Sequence, residues 1–85
     1  METTPINSIT LSCQTTTGAV RSALGNPSWL RTLVWHERIE DDAAGHPRYA
    51  VCYKIEPQQL PDDLEDRIAA AAPIVEDWLG ICLAI

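Results

Sequence analysis

Apolar residues recur along this chain in two rhythms, and the change from one to the other divides it into elements. Between Leu64 and Trp78 the apolar positions Leu64, Ile68, Ala71, Val75 and Trp78 are spaced by fours and threes. At about 100° per residue they share one helical face. Asp62, Asp66, Glu76 and Asp77 fall away from that face. Pro61 suits the first helical position, and the carboxylates at 62, 63, 65 and 66 suit the positive end of a helix dipole. Asp62 and Glu65 have capping-box spacing, and Asp63 and Arg67 are an i, i+4 ion pair in the favourable order. Pro73 projects opposite the stripe, so the pattern predicts one helix over 61–79, bent at Pro73 on its solvent side. Two helices broken at Pro73 are the alternative. Gly80 is a stop signal. The apolar residues 81–85 then read as a short buried strand or a tucked tail.

The rhythm of two appears elsewhere. Ile9, Leu11 and Cys13 alternate with Ser8, Thr10 and Ser12, which predicts a half-buried strand over 6–13. Tyr49, Val51, Tyr53 and Ile55 alternate over 48–56, the clearest strand in the chain. Between these, 15–25 has a threonine cap, Val20, Ala23 and Leu24, then Gly25, the marks of a short helix. The stretch 26–38 carries both rhythms. Trp29, Leu30, Leu33 and Val34 fit a helix, whereas Leu33, Trp35 and Ile39 share strand parity. Turn residues at 40–47 followed by a firm strand favour a β-hairpin over about 31–56. Glu37 would then fall on an apolar face, which predicts a bulge or a sheet-edge position.

The resulting order is strand, helix, strand, strand, helix, short strand. It predicts an α+β fold in one domain, residues 1–85 with a loose 1–5: an antiparallel sheet with two helices on one face, in the ferredoxin-like βαββαβ order. A two- or three-stranded sheet packed on two or three helices is the competing arrangement. Eighty-five residues, 46% of them apolar, fill one modest core. With no Phe, the bulky material is three Trp and two Tyr.

Charge refines the picture. The formal net charge is −6. Residues 1–54 balance, so the imbalance lies in 55–85, where Arg67 alone faces the acids at 56, 62, 63, 65, 66, 76 and 77. Such a surface disfavours direct nucleic-acid binding and suits a basic protein partner. No apolar run is long enough for a transmembrane helix, and the N-terminus lacks a basic leader. Cys13, Cys52 and Cys82 are odd in number and lack CxxC spacing. They are expected as reduced thiols on buried strands of a cytoplasmic protein.

Candidate chemistry is sparse. His36-Glu37-Arg38-Ile39-Glu40 has the outline of HExxH with Glu40 where the second histidine belongs, so no zinc site is expected. Asp41, Asp42 and His46 read as turn residues. The Thr/Gly turn before the first helix matches neither a P-loop nor a cysteine phosphatase loop. No metal, cofactor or catalytic set is expected. The candidate contact residues are Trp35, His36, Glu37 and Arg38 on an edge strand, and Asp62, Asp66, Glu76 and Asp77 on the outer face of the last helix. The expected function is a non-enzymatic binder or inhibitor of a larger protein, one with a basic, nucleic-acid-handling surface in the sharper form. The alternative is a ligand-sensing or accessory subunit that forms a homodimer through its sheet.

Overall fold

In the computed structural model, which describes residues 7–16 and 18–83, a four-stranded antiparallel sheet carries the chain. Strands β1 (Ser8–Cys13), β2 (Leu30–Ile39), β3 (Arg48–Ile55) and β4 (Val75–Cys82) are joined with helices α1 (Gly18–Ala23) and α2 (Leu64–Ala70), and a 3-10 turn at Pro57–Gln59 precedes α2. The spatial order is β2-β3-β1-β4. Helix α1 therefore links β1 to β2 across β3, and α2 links β3 to β4 across β1. The fold is α+β, as the residue pattern implied.

The strand rhythm explains the core. Ile9, Leu11 and Cys13 of β1 stand opposite Tyr53, Val51 and Tyr49 of β3. Opposed residues share a face, and this face gathers one cluster with Val20 and Leu24, Trp29 and Leu30, Leu64 and Ile68, Ala71 and Val75. Both helices bury their apolar side there. Arg21 clamps α1 to the start of β2: its guanidinium donates to the carbonyls of Leu30, at 2.6 Å, and Arg31, and lies 5.9 Å from the Tyr53 ring. Gly25 at φ +85° ends the helix in a conformation that side chains resist. The threonine cap position, Thr17, lies outside the described residues, as do residues 1–6, 84 and 85.

The 26–38 stretch resolves as the outer strand of a hairpin. Its register is irregular between Leu30 and Leu33 and between Leu33 and Trp35. Leu33 then opposes Tyr53 on the helix side, whereas Trp35 opposes Cys52 on the other side, so the two do not share the face that parity implied. Glu37 opposes Ala50 at the sheet edge and is exposed.

The last third departs from the expected helix over 61–79. Helix α2 ends at Ala70, residues 71–74 turn, the Ala72–Pro73 peptide is cis, and 75–82 is a strand. Pro73 has no N–H to continue the helical ladder. Strand β1 supplies what the helix would have supplied: β4 pairs along its whole length, and Gln14 N–H donates to the Ile74 carbonyl at 2.9 Å. Asp62 precedes the helix, and Asp63 is its N-cap residue, with its side chain turned to Arg67 rather than to the cap. The expected strand over 81–85 is the end of this longer one, with 84–85 outside the described residues. No helix among the described residues is long and apolar enough to cross a membrane.

Candidate interaction surfaces

A groove runs between the first turn of α2 and β4. One end, of about 290 Å³, is lined by Asp62, Asp63, Leu64, Glu65, Asp66 and Trp78. The other, of about 220 Å³, is lined by Glu65, Ile68, Ala69, Glu76, Asp77 and Trp78. Glu65 and Trp78 belong to both, so the two ends are neighbouring hollows. Leu64 and Ile68 anchor the helix beneath, so the carboxylates between them face outward. Asp63 is paired with Arg67 at 2.9 Å, and this hydrogen bond holds its carboxyl below the usual range. Asp62, Glu65, Asp66 and Asp77 form no ion pair among the described residues; Asp77 accepts only the Trp78 backbone N–H at 2.8 Å.

Glu76 behaves differently from its acidic neighbours. The β1–β4 register shifts between Ser12 and Cys13, and Glu76 lies at that irregularity. Its Oε1 accepts from Arg48 Nε at 2.8 Å and from Ser12 Oγ at 2.8 Å, and Arg48 Nη2 donates to Ser12 Oγ at 3.1 Å. The Arg48 hydrogen bond is the main cause that lowers the Glu76 carboxyl below its ordinary value. This triad lies over the sheet face opposite the helices. There Ser8, Ser12, Ala50 and Cys52 are all buried although no helix covers them. Glu76 therefore closes a surface rather than opening one.

The eight candidate residues do not make one site. Trp35 and Glu37 project on the helix-free side of β2, and His36 and Arg38 on the helix side, since they oppose Cys52, Ala50, Val51 and Tyr49 respectively. Arg38 is held by Asp41 at 2.7 Å and lies 5.9 Å from the Tyr49 ring. Strand β2 is the edge opposite β4, with two strands between them. Asp62 and Asp66 do come together, in the first hollow with Trp78, whereas Asp77 borders only the second and opposes Ser12 in the sheet register. The expected outer face of one helix is corrected to a helix turn plus a strand, because Glu76 and Asp77 lie on β4. Trp78 packs against the core, as its place on the apolar stripe implied, and also borders both hollows; residues not named as contacts from the sequence are Glu65, Arg48 and Ser12. Spacing alone carries no signal for the Arg48–Glu76–Ser12 triad, whose members are 28 to 64 residues apart.

The remaining chemistry is structural. Asp42 accepts the backbone N–H groups of Ala44 and His46 at 2.9 and 2.8 Å, the geometry of a turn, and the His46 hydrogen bond is the main cause that lowers its carboxyl. Among the described residues no cluster of His, Cys, Asp and Glu has the geometry of a metal site. All three cysteines are free, but Cys82 is exposed, which corrects the expectation of three buried thiols. Burial, helped by Glu76, pushes the Cys13 thiol up to about 12, so it stays protonated at neutral pH. Comparison with known proteins found no matching family model, no similar curated protein and no similar solved structure.

Proposed function

We propose that this chain is a non-enzymatic protein-interaction module, a small binder or inhibitor that sets its α2–β4 groove against a basic surface of a larger protein. The observation that carries the reading is the groove: Asp62, Glu65 and Asp66 line its first hollow with Trp78, without a cation paired to any of them among the described residues. Carboxylates held together repel one another, and an incoming cation relieves that repulsion. An indole beside them accepts the stem of an Arg or Lys side chain and attracts its charge. A target that handles nucleic acid carries such cations, so covering them would inhibit it, while direct binding to nucleic acid is disfavoured by the same carboxylates.

Two companion proposals complete the reading. The fold is ferredoxin-like; the split crossovers, α1 across β3 and α2 across β1, support that order. The protein works in the cytoplasm, and three free thiols support a reducing compartment.

The test is recovery of partners on the immobilised chain at about 0.05 M and about 0.5 M salt, where screening differs several-fold. The comparison is with a Glu65→Lys/Asp66→Lys variant, both positions being exposed. A basic protein retained at low salt, and lost at high salt and by the variant, is expected. Partners held equally under all conditions would refute the groove as the contact surface.

A further inference from the structure

Among the described residues strand β4 is the last strand of the sheet, hydrogen-bonded to β1 on one side. Its outer half, Trp78-Leu-Gly-Ile-Cys82, and Leu83 just after it carry no charge. Three of the five exposed large apolar side chains among the described residues lie there, Leu79 at 55%, Ile81 at 37% and Leu83 at 44%; the other two, Leu33 and Trp35, are on β2. Edge strands are ordinarily blunted by charge, proline or a covering loop. The opposite edge follows that rule, since Arg31, His36, Glu37 and Arg38 interrupt β2. Beyond Asp77 the described part of β4 has neither charge nor proline, and its one interruption is the bulge at Leu79.

We propose that this edge pairs with the same edge of a second copy of the chain, antiparallel about a twofold axis, joining two four-stranded sheets into one of eight strands. A twofold through Ile81 sets Gly80 against Cys82 and Leu79 against Leu83; one through Gly80 sets Leu79 against Ile81 and Trp78 against Cys82. Neither brings a charge opposite a charge. The geometry also keeps the acidic grooves apart. Asp77 lies four residues from a twofold at Ile81, so the two copies of Asp77 stand about 26 Å apart at 3.3 Å per residue. That is more than the Debye length of about 8 Å at physiological salt. Charge thus favours self-pairing at this edge over any contact through α2.

The other routes to a second copy are weaker. The helix-free sheet face is closed at its centre: Cys52 and Ser12 are already buried, and Arg48 and Glu76 lie across it. Face-to-face pairing would gain little apolar burial there and would desolvate an ion pair. Pairing β2 with itself sets like charges opposite one another when centred on Glu37 or Arg38. A six-residue edge buries less than the roughly 1,200 Å² of a standard interface, so the dimer is concentration-dependent.

Sedimentation of the whole chain from about 10 µM to about 1 mM tests this, a range that spans weak association. The weight-average mass is expected to rise by about one-half across the range, as a monomer–dimer equilibrium with a Kd of about 0.1 mM requires. Leu79→Lys/Leu83→Lys should remain monomeric with an unchanged circular dichroism spectrum, while Leu33→Lys on β2 should still dimerise. A chain monomeric at the highest concentration, or a dimer that survives Leu79→Lys/Leu83→Lys or is abolished by Leu33→Lys, overturns the proposal. Amide exchange on the unmodified chain gives a second readout that needs no variant. Residues 79–83 should gain protection with concentration and residues 31–38 should not. Equal exchange of 79–83 at both concentrations overturns it. So does protection of 79–83 in a chain that stays monomeric and is bound by a foreign extended peptide.

Discussion

Leu11 lies at the centre of the sheet and is fully buried, opposite Val51 on one side and Trp78 on the other. Leu11→Ala removes three carbons from this position. At about 0.8 kcal/mol per buried methylene the transfer loss is about 2.4 kcal/mol. A partly collapsed cavity adds about 1 kcal/mol, which brings the cost into the range known for buried leucines. A domain of this size is expected to be stable by roughly 4–13 kcal/mol, so the loss is a large share of the whole. Urea unfolding followed by tryptophan fluorescence measures it. With a slope of about 1 kcal/mol per molar, the midpoint should fall by about 3 M. Leu83→Ala, at an exposed position just past the end of β4, should change stability by less than about 0.5 kcal/mol. A Leu11→Ala loss below about 1 kcal/mol would refute the placement of β1 between β3 and β4.

Other outcomes follow from the polar groups. The Glu76 carboxyl is lowered in the folded state, so its contribution is present above the unfolded value near 4.5 and is lost as pH falls through the folded value. Glu76→Gln should therefore flatten the acid limb of stability below about pH 4.5, leaving the shares of Asp42 and Asp63, which are lowered too. An acid limb identical to that of the parent chain would show that Arg48 and Ser12 do not stabilise the ionised form. Alkylation of the dilute native chain by iodoacetamide near pH 8, read by mass spectrometry, should label Cys82 first, since Cys13 and Cys52 are buried. Labelling of Cys13 at the same rate as Cys82 would contradict its protonated, enclosed state.

The two halves of the chain were legible to different degrees. In 48–55 the alternation of Tyr49, Val51, Tyr53 and Ile55 had one physical meaning, because a strand with one covered face cannot shift by a residue without exposing its whole apolar set. In 61–79 the same kind of pattern had two meanings. Leu64, Ile68, Ala71 and Val75 are all buried, as helical spacing required, yet the first two belong to a helix, the third to a turn and the fourth to a strand. Spacing reports which residues are inside and does not report which backbone hydrogen bonds place them there. The acidic groove was half legible for that reason. Asp62 and Asp66 were identified by charge, whereas Trp78 entered their company only when β4 crossed beside α2.

By itself, then, the residue order determined the α+β class, the hairpin, the short first helix and the uneven charge, since each rests on neighbours within a few residues. Tertiary structure alone decided that 75–82 would be a strand. Two conditions of the whole fold made it so: Pro73 cannot extend a helix, and β1, buried on both faces, had a second edge of backbone donors and acceptors to satisfy. That single choice set Glu76 against Arg48 and Ser12, opened the groove beside Trp78, and left Leu79, Ile81 and Leu83 exposed at and just beyond the sheet edge. No local pattern could encode those results, because they depend on partners up to 64 residues away.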